Sequence, residues 1–170
     1  MRQRWLAALV VFVVGLGLAS PGYAMAKIGY MNVGRAFENY QKTKDQEATL
    51  EALSKKKADE RVGQVEMIRD MRSELELLSP DARRGKEQEI ENGLLALKEF
   101  DNQSRQDLRE QHDTMVREIL EEINAAVIDY AKKEEFAFIF NERVLLFGEE
   151  ANDITDPVLQ ILNEGYKNDK

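Results

Sequence analysis

Leu77-Leu78-Ser79-Pro80-Asp81 decides the fold of this chain, because it separates two long stretches whose apolar residues match in mirror order. Pro80 cannot continue a helix interior, and Ser79 can cap the helix that follows it. We therefore predict an antiparallel helical hairpin with its tip at residues 77–82, and with Leu78, Ser79 and Pro80 in the turn. Apolar residues face each other where two residue numbers sum to about 159, as in Ile68 with Ile90, Val65 with Leu94, Val62 with Leu97, Leu50 with Leu108 and Tyr40 with Ile119.

The two stretches beside the tip predict an arm over residues 35–124. Each half has about 45 residues, so the hairpin should reach about 65 Å at 1.5 Å per residue. Gly63, Gly85 and Gly93 interrupt the helical pattern, and each costs about 1 kcal/mol relative to alanine. Two interpretations stay open: Gly63 lies opposite Ala96 and permits a close approach of the helices, or the glycines let the outer arm bend.

The first 26 residues have the pattern of a secretory signal. Two arginines precede an apolar run of about 13 residues, Leu6 to Leu18, and Pro21 follows it. A membrane span needs about 20 apolar residues, so a retained anchor is the weaker interpretation. Small residues then provide a cleavage site after Ala24 or Ala26. The sequence predicts export, with residues 1–26 removed.

Composition limits the classes of protein that the exported chain can belong to. The chain has no cysteine, so disulfides cannot stabilise it. Without Arg2 and Arg4, 22 basic residues face 32 acidic ones, a net charge of −10. This balance argues against nucleic acid as a partner, because such binding depends on cations that displace counterions from phosphate. Most of the negative charge lies in residues 118–170, so the arm is nearly neutral and could touch an unfolded chain without repelling it.

Short runs of branched and aromatic residues flank the hairpin. Residues 27–33 alternate loosely, which predicts a strand with Ile28 and Tyr30 on one face. Phe136-Ala-Phe-Ile-Phe140 and Val144-Leu-Leu-Phe147 predict two buried strands of a β-hairpin. The antiparallel arm brings these flanks together, so we expect one small sheet of three strands at its base.

This sheet poses a burial problem that one copy of the chain cannot solve. The only further element predicted is a short helix with Thr155 as its cap and Pro157 in its first turn. Strands that are apolar on both faces need cover on both sides. We therefore predict that several copies pool their strands into a shared barrel or sheet, and that the body comprises residues 27–34 and 125–170. Its core is predicted to contain Ile28, Tyr30, Phe136, Phe138, Phe140, Val144 and Leu146.

Three segments resemble the Skp/OmpH family of periplasmic chaperones: Lys27 to Phe37, the Leu78-Ser-Pro-Asp-Ala82 tip, and Val144 to Leu159. The resemblance covers essentially the whole exported chain, and Asp153-Ile-Thr-Asp156 is its most specific part. It implies an α+β fold in which a homotrimer shares a small β-barrel body and three helical arms enclose a cavity. It also implies ATP-independent holding of unfolded outer-membrane proteins in the periplasm, between the inner-membrane translocon and the outer-membrane assembly machinery.

Within that resemblance, apolar residues near the tip are candidates for contact with client proteins: Met67, Met71 and Leu75. Methionine suits contacts with many different partners. The lipopolysaccharide site proposed for basic relatives is not carried over, because the comparable arginines here stand among acidic residues. A transient contact with a membrane surface stays open as a further interaction. The residues compared are Arg105, Arg109 and Arg117 with Asp107, Glu110 and Asp113.

The sequence offers little support for an enzyme. His112 is the only histidine, and Ser104 lies two helical turns before it on an exposed rod that provides no oxyanion hole. No phosphate-binding loop of the G-x-x-x-x-G-K-[ST] type occurs, and adjacent glutamates on a helix point apart. We predict no catalysis, no cofactor and no metal site. The alternative to a chaperone is a coiled-coil spacer or adaptor of the cell envelope without chaperone activity.

Overall fold

The structure is a computed structural model that describes residues 26–168. It is mostly helical, with one two-stranded sheet. The predicted signal sequence and its cleavage after Ala24 or Ala26 lie outside the described residues, apart from Ala26 itself. In chain order the elements are β1 (Lys27–Met31), α1 (Val33–Asn39), α2 (Gln41–Leu77), α3 (Pro80–Lys133), β2 (Phe136–Asn141), two short 3₁₀ turns (Glu142–Val144 and Glu150–Asn152) and α4 (Thr155–Asn168).

Helices α2 and α3 form the predicted antiparallel arm. They contain 37 and 54 residues, so they extend about 56 Å and about 81 Å at 1.5 Å per residue. The first half of the arm is not one helix, because Tyr40 adopts an extended conformation between α1 and α2. Ion pairs join residues before the tip with residues after it, in mirror order: Lys42 with Glu122, Lys57 with Asp107 (3.4 Å), Arg61 with Asp101 (2.8 Å) and Glu74 with Lys86 (2.7 Å).

The tip lies where the sequence predicts it, but its capping differs. Ser79 occupies the N-cap position of α3, yet its side chain makes no capping hydrogen bond. The Ser79 carbonyl instead accepts the N–H groups of Ala82 and Arg83, both at 3.1 Å. The Arg83 guanidinium donates to the carbonyls of Leu78 at 3.1 Å and Glu76 at 3.4 Å. An arginine of α3 therefore satisfies carbonyl groups at the end of α2.

The glycines of the arm occupy two different environments. A Cβ at Gly63 would have no neighbour within 4 Å, so the interpretation of Gly63 as a close-approach residue is wrong. Gly93 has that role, because a Cβ there would lie 3.2 Å from Ile68 and 3.4 Å from Met71. The mirror pattern assigned close packing to the wrong glycine because Gly63 lies on the exposed side of α2.

These environments predict opposite results for one substitution. Gly63→Ala should raise the free energy of unfolding by about 0.5–1 kcal/mol, because alanine favours a helix and no atom obstructs its methyl group. Gly93→Ala should give no such gain, since its methyl group presses on Ile68 and Met71. Urea unfolding followed by circular dichroism measures both. An equal gain at the two positions would contradict the packing described here.

The base of the arm holds the main apolar core. Strands β1 and β2 run parallel, with Ile28 opposite Phe138 and Tyr30 opposite Phe140. One face of this sheet packs against the helices, and the arm connects the two strands. The buried core residues come from β1, α1, the junction at Tyr40, α3, and α4 with the residue before it: Met31, Ala36, Tyr40, Met115, Ile119, Ile123, Ile154, Val158 and Leu162.

The predicted β-hairpin of the body is wrong. Val144 ends a 3₁₀ turn, and Leu146 and Phe147 lie in an exposed irregular loop that forms no strand. Within one copy the outer edge of β1 is occupied near Asp153, because the Ile154 N–H donates to the Tyr30 carbonyl at 2.9 Å. The sheet described in residues 26–168 therefore has two strands where the sequence predicts three.

The start of α4 also differs from its prediction. Thr155 is the first helical residue and not the cap. The Thr155 N–H donates to the carboxylate of Asp153 at 2.8 Å, so Asp153 provides the capping oxygen. Pro157 lies in the first turn, as predicted. Separately, none of the helices within residues 26–168 has the length and apolar character that crossing a membrane requires.

Candidate interaction surfaces

The outer face of the sheet is a surface of apolar and aromatic side chains. The strand register places Ile28, Tyr30, Phe138 and Phe140 on this face, while Met31 turns inward to the core. Ile28 is 48 % exposed, Phe138 58 % and Phe140 42 %. The rings of Phe138 and Phe140 stack with their centroids 6.3 Å apart. Large apolar side chains that remain together on a surface are typical of an interaction site.

The other three predicted body residues do not join this face. A register irregularity at the start of the sheet turns Phe136 inward, where its ring lies beside Gly29 and 6.1 Å from the ring of Tyr130. The Lys27 ammonium lies 4.1 Å from the Phe136 ring centroid on its other side. Val144 and Leu146 extend from the loop after β2, and both are largely or fully exposed.

The exposed loop returns to the chain beside Tyr30. A Cβ at Gly148 would lie 2.6 Å from the Tyr30 ring, so the loop can pass this closely only because residue 148 is glycine. Burial raises the pKa of the Tyr30 hydroxyl, and the carboxylates of Asp153 and Glu142 raise it further. The loop holds Tyr30 in place and leaves Leu146 and Phe147 free to contact another molecule.

A hydrogen-bond network fastens the end of β1 to the start of α4. The Thr155 hydroxyl is fully buried, accepts the Asn32 N–H at 2.9 Å and donates to the Asp153 carboxylate. Arg35 donates to Asp153 at 3.0 Å and lies 3.3 Å from Asp156. Sequence reasoning interpreted Asp153 to Asp156 as a helix start and as the most specific part of the family resemblance, but it did not predict this network. The sequence signal that could have indicated the network is the position of Thr155 between two aspartates, Asp153 and Asp156, together with Arg35 shortly after β1.

The predicted client-contact residues near the tip differ in exposure. Met67 is 64 % exposed, whereas Met71 and Leu75 are half-buried, and Leu77 beside the turn is widely exposed. Lys86 bridges Glu74 and Glu89, whose hydrogen bonds raise the pKa of its ammonium group. The tip therefore presents scattered apolar side chains among charged groups and no enclosed site.

A second apolar surface lies at the base of the arm and was not predicted. It is a groove between α3 and the sheet, in which Leu120 and Phe140 are the most exposed apolar residues. The apolar spacing of Leu120, Ile123 and Val127 on α3 could have indicated it. Its apolar lining consists of Met31, Val33, Leu120, Ile123, Val127, Ile139 and Phe140.

The residues considered for catalysis are not arranged for it. Ser104 is buried and its hydroxyl has no hydrogen-bond partner, whereas His112 is exposed with Nδ1 3.3 Å from Asp113. Over residues 26–168, no group of three or more histidine, aspartate or glutamate side chains is placed to hold a metal ion.

Comparisons with known proteins agree on one family. The model of the family described as outer membrane protein (OmpH-like) matches residues 27–162. A Skp-like protein of Chlamydia pneumoniae is 24 % identical over 158 residues, which cover 89 % of this chain and 92 % of that protein. A crystal structure of a candidate outer membrane chaperone (OmpH-like) from Caulobacter crescentus superposes with a TM-score of 0.77 at 15 % identity, over 85 % of this chain and 88 % of that chain. This structural likeness supports the fold.

Proposed function

Because this chain belongs to the Skp/OmpH family, we propose that it is a periplasmic chaperone that binds unfolded outer-membrane proteins and prevents their aggregation without ATP. Three copies assemble through their sheets, and their arms enclose the cavity that receives the client. In this assembly, the body of each copy comprises residues 27–34 and 125–170, and its arm comprises residues 35–124.

The uncovered outer face of the sheet is the observation that carries this proposal. The helices cover one face of the two-stranded sheet, whereas its apolar outer face has no cover within residues 26–168. Ile28, Phe138 and Phe140 would lose their solvent contact if the same face of other copies packed against them. Three copies, the number that the family resemblance implies, would join six strands around a shared apolar interior.

The loop after β2 contributes to the same assembly. The outer edge of β2 has no partner strand within residues 26–168, and an unpaired edge is a template for strand addition. Val144-Leu-Leu-Phe147 has the composition of a strand but does not pair with this edge in its own copy. We place this segment on the neighbouring copy, which explains why it is exposed in an isolated chain.

The chemistry of the arms suits holding without tight binding. An unfolded outer-membrane strand alternates apolar and polar residues and aggregates through its edges in water. The arms offer dispersed apolar residues, such as Met67 and Leu95, among many charged ones. Such contacts lower the free concentration of the client but do not fix one conformation. Release to a more stable fold then requires no nucleotide.

An aggregation assay tests this function. An outer-membrane β-barrel protein is diluted from urea into buffer, and its light scattering is recorded with increasing amounts of the purified exported chain. We expect the light scattering to disappear near one trimer per client molecule in the absence of ATP. An equal mass of serum albumin serves as the control. If scattering persists while the chain captures one folded envelope protein, the chain is a spacer or adaptor and not a chaperone.

A further inference from the structure

The apolar contacts between the two halves of the arm are concentrated in two places, at its base and near its tip. At the base, Tyr40 on the first half lies near the buried Met115 and Ile119 of α3. Towards the tip, the buried Ile68 and Ile90 pack where Gly93 allows a close approach. We call these contacts the base clamp and the tip clamp.

The middle of the arm, residues 45–64 of α2 and 94–114 of α3, is packed differently. Ser104 is the one buried side chain of this middle segment, and its hydroxyl, like that of Thr43 at the base, has no hydrogen-bond partner within residues 26–168. A buried hydroxyl without a partner destabilises the closed arrangement, and water could satisfy it if the helices separated. Val62, Leu94 and Leu95 of the segment are exposed. Its other large apolar residues are only half-buried: Leu50, Leu53, Leu97, Phe100 and Leu108.

Charged contacts replace an apolar seam in this segment. Lys57 pairs with Asp107, and Arg61 pairs with Asp101, but all four side chains keep substantial contact with water. The Lys57 ammonium also lies 5.5 Å from the centre of the Phe100 ring. Ion pairs with this much solvent contact contribute little to stability and are screened by salt. Gly63, with open space around it, weakens α2 in the same segment.

From these contacts we infer that α2 and α3 separate reversibly in the middle of the arm while the base clamp and the tip clamp stay closed. An ordinary hairpin frays from its free end, so this order of opening is specific to the distribution of contacts in this chain. The opening is a property of the arm itself and does not depend on a client.

Distances between spin labels test this inference, and the absence of native cysteine makes the labelling specific. One exported chain carries labels at Ala52→Cys and Gln106→Cys in the middle, and another at Asp70→Cys and Asn92→Cys, two exposed positions near the tip clamp. Labelled chains are diluted with unlabelled ones so that each assembly contains at most one labelled copy. We expect a broad distance distribution in the middle that widens between about 0.1 M and about 1 M NaCl. The distribution near the tip clamp should stay narrow.

Ser104→Ala provides the second part of the test. Removing the unpartnered hydroxyl should narrow the mid-arm distribution, whereas Ser54→Ala, the same change at an exposed position of α2, should leave it unchanged. The inference is overturned if the middle is as narrow as the tip, if the width grows steadily towards the tip, or if the two serine variants behave alike. Because these readouts use no client, they stay informative even if the aggregation assay fails.

Discussion

Phe138→Asp is expected to convert the assembled protein into monomers at micromolar concentration. Phe138 is central to the outer face of the sheet, where its ring stacks with Phe140. Full burial of a phenylalanine contributes about 1.5–3 kcal/mol, and aspartate would add the cost of burying a charge without a partner. Each contact between copies should therefore weaken at least about 100-fold, since 1.4 kcal/mol corresponds to a factor of ten. Sedimentation velocity over a range of protein concentrations measures the change.

A matched change on the arm controls for the added charge. Leu95→Asp replaces an apolar residue of similar exposure far from the sheet, so the assembly should stay intact. Circular dichroism should show that both variants keep their helices, because neither position lies in the buried core. A Phe138→Asp protein that sediments like the unmodified chain would refute assembly through the outer face.

Thr155→Val is expected to lower the free energy of unfolding by about 1–3 kcal/mol. Valine fits the buried space, but it leaves the Asn32 N–H without its acceptor and removes the hydroxyl bond to the Asp153 carboxylate, which keeps the Thr155 N–H and Arg35 as donors. Urea unfolding at a fixed protein concentration gives the value, since the stability of an assembly depends on concentration.

Thr155→Ser is the control for this substitution. Serine keeps the hydroxyl and loses one methyl group, so its cost should be no more than about 0.8 kcal/mol. Equal losses for the serine and valine variants would show that the hydroxyl contributes nothing, and that packing alone holds the start of α4 to the end of β1.

The arm could be predicted because its signal is long and redundant. Many apolar pairs across Pro80 indicate the same antiparallel alignment of the two helices. The ion pair of Arg61 with Asp101 joins the helices in that orientation. The absence of a side-chain cap at Ser79 and the open surroundings of Gly63 could not be predicted in this way. Each depends on a single rotamer or on which side of a helix faces its neighbour, and one residue carries too little information about either.

The body was harder to predict, because its two strands lie far apart in the sequence, with the helical arm between them. Alternation placed Ile28 and Tyr30 on one face, and the structure brings Phe138 and Phe140 to the same face. Alternation could not show that an irregularity turns Phe136 inward. The composition of Val144 to Phe147 favours a strand, but composition does not say whether a partner edge exists in the same copy. The role of this face in assembly stays a prediction for the sedimentation experiment.

The parallel pairing of β1 with β2 sets an order of folding during synthesis. Lys27 leaves the ribosome early, but its partner Phe136 follows only after the whole arm has been synthesised. The arm can close through contacts near its turn long before then, whereas the sheet must wait for a distant segment, and such long-range contacts form slowly. In a nascent chain the helical arm would therefore fold before the sheet forms. A chain truncated after Lys133 would keep the helical arm but would lack β2 and would not assemble.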